Sequence, residues 1–247
     1  MVKERKMVKE MRYLPAGDKV IVVEFGNEIN QAINHKVMAL YQAINSCDIE
    51  GIEELIPTYR SLMVQYNPSK VVYKELINRL KELSEDLDQE IKTKQRIIEV
   101  PVIYGQEFGP DIEFVASHNN ISVDEVIQIH TSQDYLIYML GFTPGFPYLG
   151  GMSDKIETPR LETPRNKIPV GSVGIAGKQT GIYPIESPGG WQLIGRTPIT
   201  LYDPYREPPI LMQAGDFIRF VSVGLKDYRQ IETQVAENTY SLKISYK

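Results

Sequence analysis

GFTPGFPYLGGMSDKIETPRLETPRNKIPVGSVGIAGKQTGIYPIESPGGWQLIGRTP, residues 141–198, decides how this chain folds. Glycine and proline cut it into pieces too short for helices, and the apolar pieces between the cuts, such as Ser172–Ala176 (SVGIA), have the length of strands. Many short strands separated by Gly/Pro turns indicate a barrel or a sandwich. Disorder is the poorer reading, because disordered segments have few aromatics and high net charge. This one carries Phe142, Phe146, Tyr148, Tyr183 and Trp191 and little net charge. Aromatics set beside glycines point to backbone packed closely against rings.

Upstream of this stretch, Ile97–Tyr104 (IIEVPVIY) reads as a strand, with Pro101 suggesting an edge or a bulge. Asp111–Ser117 reads as a short helix capped by Asp111. Ser122-Val123-Asp124-Glu125 is a capping box for a helix from Val123 to about Thr131, and Tyr135–Leu140 is a strand. Downstream come Trp191–Ile194, Ile199–Tyr202 and Asp216–Val223 as strands, a short helix near Leu225–Gln234 and a last strand, Ser241–Tyr246.

The first ninety residues have a different pattern. Residues 1–10 read as a frayed basic end. Lys19–Phe25 (KVIVVEF) is a β-branched strand; from Asn30 to Asn45 the apolar positions Ile33, Val37, Leu40, Tyr41 and Ile44 recur at helical spacing. Ile52–Pro57 and Leu62–Tyr66 read as strands. A second helix runs from about Ser69, its N-cap, to Glu90, with Val72, Leu76, Leu80, Leu83 and Leu87 on one face. Two helices over one face of a small sheet make a two-layer α/β sandwich. The polar run Asp86–Gln95 marks a boundary, so the expected organisation is α+β: an N-terminal domain over residues 8–93 and a mostly β domain over residues 96–247.

Composition narrows the chemistry. The net charge of −5, with Lys and Arg spread along the chain, argues against nucleic acid as the main partner. One cysteine, Cys47, allows no intrachain disulfide, and with only three separated histidines (His35, His118, His130) the chain argues against a Cys/His zinc site. No apolar run approaches the roughly 20 residues of a membrane span, and Met1–Arg12 is too charged for a secretory signal. The cytoplasm is the expected location. No GxSxG, P-loop or HExxH signature is present.

The candidate site residues fall in or beside residues 141–198. His130 ends the capped helix, where the dipole favours a protonated imidazole able to bind an anion or transfer a proton; the plainer reading is a ring bonded to a nearby carbonyl. His35 lies at a polar helix position and His118 in a loop. Arg160 and Arg165 follow the repeated Thr-Pro dipeptides Thr158-Pro159 and Thr163-Pro164, which present each planar guanidinium from extended backbone. They suit a carboxylate or phosphate, or else pair with structural carboxylates. Ser187-Pro188-Gly189-Gly190-Trp191 is a tight turn opening a strand, with Arg196 five residues further on. Gln179, Thr180 and Tyr183 add uncharged hydrogen-bonding groups. Together these suit a small polar ligand with an amide and a carboxylate; the alternative is a turn-rich barrel with a buried tryptophan. Asp203 and Glu186 lie in the same region, and nothing in the sequence pairs them as acid and base.

Several of these blocks also carry a family likeness. Gly141–Gly150, Thr163-Pro164-Arg165, Ile168–Gly177, Gln179–Pro184, Ser187–Trp191 and Gly195-Arg196-Thr197-Pro198 together resemble the signature of the allophanate-hydrolase-subunit-1 family. Position 170 is Val where the family commonly has Ala. That family contains the B component of bacterial 5-oxoprolinase, the KipI-type inhibitors of a sporulation histidine kinase and part of the carboxyltransferase domain of urea carboxylase. The resemblance implies a cyclophilin-like β-barrel as the C-terminal domain. It implies ATP-dependent conversion of 5-oxo-L-proline to L-glutamate by a complex with the A component and the KipA-like C component of 5-oxoprolinase, the isolated chain being inactive. On the residue reading, His130 is the expected catalytic residue and Arg160, Arg165, Gln179, Tyr183, Trp191 and Arg196 are the expected substrate-binding residues, their Arg, Gln and Tyr groups being of the right type for 5-oxoproline, a cyclic amide bearing a carboxylate. No metal is expected, since no Mg²⁺ ligand set is visible. A regulatory role, binding a histidine kinase and blocking its autophosphorylation, is the alternative; a cyclophilin-type prolyl isomerase rests on fold analogy alone.

Overall fold

The computed structural model describes residues 11–85, 87 and 94–247. Contacts within the chain gather into two compact units that divide between Thr93 and Lys94. Much of the expected boundary run, residues 86–95, lies outside the described residues, as does the basic end, residues 1–10.

The first unit holds a four-stranded antiparallel sheet, built from β1 (Arg12–Pro15), β2 (Val20–Glu24), β3 (Ile52–Pro57) and β4 (Ser61–Tyr66) in the order β1-β2-β4-β3. Two helices, α1 (Gln31–Cys47) and α2 (Tyr73–Ser84), share one core with it. Period-two alternation buries Ile21 and Val23 on β2 and Leu62 and Val64 on β4, and three-and-four spacing buries Val37, Leu40 and Ile44 on α1. Two local readings change. The sheet has a fourth strand, β1, which the sequence did not signal. The second helix begins at Tyr73 behind an uncapped Val72, not at Ser69. Asn67 takes the capping geometry instead: its Oδ1 accepts from Ser69 N at 3.0 Å and its carbonyl from Lys70 and Val71, closing a turn before the helix can start.

The second unit is a mixed sheet curled into a nearly closed barrel. Its strands are β5 (Arg96–Tyr104), β6 (Asp134–Leu140), β7 (Pro147–Gly150), β9 (Ser172–Ala176), β10 (Gln179–Ile182), β12 (Gln192–Arg196) and β13 (Phe217–Ser222), in the order β10-β9-β12-β5-β13-β6-β7. The strands β10 and β7 at the two ends lie beside each other. The short strand β14 (Ile244–Tyr246) adds to β5, and β8 (Arg165–Ile168) and β11 (Ser187–Gly189) form a separate two-stranded ribbon. Helices α3 (Ile112–His118), α4 (Val123–Thr131) and α5 (Leu225–Ala236) complete the unit.

The capping box is present as read: Ser122 Oγ accepts from Glu125 N at 3.2 Å, and Glu125 Oε2 accepts from Ser122 N at 2.8 Å, which holds the Glu125 carboxyl below its usual range. Pro101 is not at an edge, for β5 is central. Its missing N–H falls between the part of β5 paired with β14 (Arg96–Ile98) and the part paired with β12 (Ile103–Tyr104). Residues Ile199–Tyr202 do not form a strand; Tyr202 makes a single bridge to Ile210, closing a loop.

Candidate functional site

Alternation along β9, β10 and β12 sorts the signature residues between two sides of the barrel wall. Val173, Ile175, Ile182 and Ile194 point inward, into a core shared with Ile98, Val100, Val102, Ile137 and Phe220. Ala176, Tyr183, Trp191 and Leu193 belong to a second cluster with Phe146 and Ile168, against which Tyr148 packs. The rings meet edge to face: Phe146 lies 5.3 Å from Tyr148, 5.4 Å from Tyr183 and 5.5 Å from Trp191 between centroids, and 5.5 Å from Phe142. Such contacts satisfy the ring quadrupoles and add about 0.5–1.5 kcal/mol each beyond area burial. Glycine makes the arrangement possible. A Cβ on Gly181 would stand 3.1 Å from the Trp191 ring and 3.2 Å from the Phe146 ring, and a Cβ on Gly189 only 2.4 Å from the Tyr183 hydroxyl. The expectation that glycine lets backbone approach rings therefore holds at the atoms themselves.

The arginines differ from one another. Arg165 donates from Nη2 to Asp111 Oδ1 at 2.7 Å and from Nη1 to the Trp191 carbonyl at 3.3 Å. Asp111, expected to cap α3, makes no side-chain cap and instead accepts from Arg165 and, at 2.6 Å, from Leu193 N. The Arg165–Asp111 pair thus ties the ribbon and the head of α3 to the start of β12. Arg160 is exposed and has no carboxylate partner among the described residues. Both guanidinium groups pull the Tyr183 hydroxyl toward ionisation, but burial outweighs them and lifts it to about 12, so it is a neutral donor. Tyr183 and Trp191 are both buried, so they back the wall. Its solvent side carries Phe142, Tyr148 and Arg160.

Arg196 does not join this group. It ends β12, about 16 Å along the strand from Trp191 at some 3.3 Å per residue. Its guanidinium lies 5.6 Å from the Phe108 ring, near Tyr228 and Arg229. Five residues on a strand carry a side chain to the far end, which is why sequence proximity to Trp191 misleads. Gln179 opens β10 on the same side as Gly181, two residues on, and is already engaged within the protein.

His130 needs a correction. The ring is wholly buried inside the barrel, against Phe220 at 4.4 Å. Desolvation drives its pKa down to about 3, so it is neutral and not the imidazolium that its place at a helix end suggests. Its hydrogen bonds have a fixed direction. Thr180 Oγ1 donates to the Gly174 carbonyl at 3.1 Å, so it accepts from His130 Nε2 at 2.8 Å. That leaves Nδ1 to accept from the Tyr104 hydroxyl, also at 2.8 Å. The order Tyr104 → His130 → Thr180 → Gly174 joins β5, α4, β10 and β9. Tyr104 carries no signal in the sequence, and Thr180, singled out there as a hydrogen-bonding group for a ligand, turns inward to His130 instead; the two partners lie 26 and 50 residues away from it.

Three buried polar atoms have no partner among the described residues: Thr143 Oγ1, Ser187 Oγ and Arg196 Nε. Among those residues no three His, Cys, Asp or Glu side chains come together as a metal site requires, and no helix is long and apolar enough to cross a membrane.

Residues 11–212 match the family of the carboxyltransferase domain, subdomains C and D, and the chain belongs to that family. It is 47% identical over 226 residues to the B subunit of 5-oxoprolinase from Bacillus subtilis, covering 86% of this chain and 92% of that protein. Among solved structures it resembles TTHA0988, at 36% identity and a TM-score of 0.76, covering 83% of this chain and 40% of that one. It also shares the fold of the urea carboxylase of Kluyveromyces lactis, with a TM-score of 0.77 at 22% identity over 96% of this chain and 24% of that one. The chain therefore matches nearly the whole of the Bacillus protein but well under half of the two larger proteins.

Proposed function

We propose that this chain is the B component of an ATP-dependent 5-oxoprolinase, which opens the lactam ring of 5-oxo-L-proline to give L-glutamate in the company of the A and C components. The observation that carries the reading is the match, at 47% identity, to 92% of the length of the corresponding Bacillus subtilis protein. On this reading the two compact units are folding domains, near residues 8–93 and 96–247, the second a cyclophilin-like barrel, and the chain works in the cytoplasm.

The geometry supports half a site. Arg160, without a carboxylate partner among the described residues, is a cation at the rim of an aromatic wall, suited to the carboxylate of a small cyclic amide lying against Phe142 and Tyr148. Arg165, held by Asp111, positions the ribbon that carries this rim. Trp191 and Tyr183 set the shape of the wall from behind, and His130, through Thr180, holds β10 in register under Gln179. The wall is open to water on one side. A hydrolysis driven by ATP needs a closed site in which charge is stabilised by fixed groups, so a companion chain completes it. The residues described here do not fit ATP by themselves: there is no glycine-rich phosphate cradle, no clustered carboxylate set for its magnesium, and Arg165 is committed to Asp111. No step is assigned to the nucleotide on this chain.

The test is reconstitution. Purified alone, the chain gives no glutamate; with the A and C components it forms glutamate that depends on both ATP and 5-oxoproline. A complete set that makes none, under conditions where the Bacillus subtilis set does, overturns the assignment.

A further inference from the structure

A buried tyrosine ordinarily spends its hydroxyl on a partner inside the protein. Tyr135 does so, donating to the His130 carbonyl at 2.9 Å. Tyr183 does not. Its ring is 1% exposed and packs edge to face against Phe146 and Trp191, yet its hydroxyl makes no hydrogen bond with any described residue. Nor is that hydroxyl enclosed like the three orphan atoms Thr143 Oγ1, Ser187 Oγ and Arg196 Nε, so the little of Tyr183 that solvent reaches includes it.

Two glycines let the hydroxyl out. It stands where a Cβ on Gly189 would have to go, so only a bare backbone can pass beside it. The carbonyl of the next residue, Gly190, accepts from Leu161 N at 2.8 Å, and Gln192 Nε2 donates to the Pro159 carbonyl at 2.9 Å. Those two bonds pin the backbone on either side of Arg160. The turn Gly189-Gly190 thus has the hydroxyl beside it and the Arg160 segment tied to it, and the Arg160 charge reaches the hydroxyl.

The other charges nearby are spent. Arg165, which also acts on the hydroxyl, is held by Asp111, and Lys167 on the same ribbon pairs with Glu186 at 2.9 Å. Glu162, two residues from Arg160, is exposed and makes no ion pair with it. What converges at the turn is therefore a protonated hydroxyl and a guanidinium, two kinds of donor with no acceptor assigned to either. A carboxylate has two oxygens and accepts from both at once, and charge-assisted bonds of this kind are about twice as strong as neutral ones.

We infer that the Tyr183 hydroxyl and the Arg160 guanidinium are two halves of one carboxylate clamp at the Gly189-Gly190 turn, and that the clamp selects a lactam carrying a carboxylate. The inference rests on the reading that this chain is a 5-oxoprolinase component, and gives Tyr183 a second role: the ring backs the wall and the hydroxyl holds the substrate. The experiment measures KM and kcat for 5-oxoproline in the reconstituted complex, and the denaturant midpoint of the full chain, for wild type, Tyr183→Phe, Arg160→Ala and the double variant. Tyr183→Phe keeps the ring, so the midpoint stays at the wild-type value, while KM rises about tenfold and kcat stays within about twofold. The double variant loses less in kcat/KM than the product of the two single losses, because both groups hold the same carboxylate. A KM within about twofold of wild type in Tyr183→Phe, a midpoint that falls along with the activity, or single losses that simply multiply overturns the clamp and leaves the functional assignment standing. A wild-type complex that makes no glutamate, where the Bacillus subtilis set does, overturns the assignment and the clamp with it.

Discussion

The inner and outer sides of the barrel wall are built from the same three strands, yet they solve opposite problems. Thr180 and Gly181 are adjacent in sequence. Thr180 faces inward and closes a four-member hydrogen-bond relay through a neutral histidine; Gly181 faces outward and clears room for the Trp191 and Phe146 rings. The interior is dry and apolar, so the polar groups of the relay act there as structural devices. The outer wall is backed by aromatics and fringed by arginine, and one of those arginines, Arg160, pairs with no carboxylate among the described residues. A signature block need not be a list of ligand contacts: along a strand every second residue serves the core.

Four substitutions or conditions bear on this contrast. The largest effect falls inside. His130→Ala leaves a cavity, strands the buried Tyr104 hydroxyl and removes the donor to Thr180, so stability falls by roughly 3–5 kcal/mol, read by thermal or denaturant unfolding. A loss under about 1 kcal/mol, the net worth of one ordinary hydrogen bond, means the relay is ornamental. Acid comes next. The His130 pKa is about 3 when folded and near 6.5 when unfolded. The unfolded chain therefore binds the extra proton between those values, and stability falls as pH drops from about 6.5 to about 3, by up to about 1.4 kcal/mol per pH unit, with no contribution from this group above that window. His130→Gln flattens that slope; an unchanged slope shows that other groups set it.

At the junction of the two sides, Arg165→Ala uncovers the mostly buried Asp111 carboxylate and costs about 2–3 kcal/mol. Adding Asp111→Asn recovers part of the loss, because the remaining charge is removed, and additivity of the two substitutions would argue that they do not interact. The smallest change in stability comes from the outermost residue. Arg160→Ala stays within about 0.5 kcal/mol of wild type, while the reconstituted complex loses about tenfold or more in kcat/KM for 5-oxoproline. Equal falls in stability and activity would make Arg160 structural after all.

Elements with a strong local code were legible without a structure. The capping box at Ser122, the β-branched run Lys19–Phe25, the spacing of α1 and the short strands between glycines all appear where local chemistry places them. What failed depended on distance. Asp111 looks like a helix cap until Arg165, 54 residues away, claims its carboxylate. His130 looks like a cation at a helix end until Phe220 and the barrel remove its water. Arg196 looks like a neighbour of Trp191 until the strand carries it to the other end of the sheet. The site expected between Arg160 and Arg196 therefore separates in space: Arg160, Arg165, Tyr183 and Trp191 come together, and Arg196 does not.

The sequence by itself determined that residues 141–198 make short strands and close turns against aromatic rings, because glycine and proline act on the backbone at the residue where they stand. Only the tertiary structure decided which side of the wall each side chain takes, which charges are spent on the fold and which rings stay in water. Those outcomes depend on burial and on partners tens of residues away, and no local pattern carries that information.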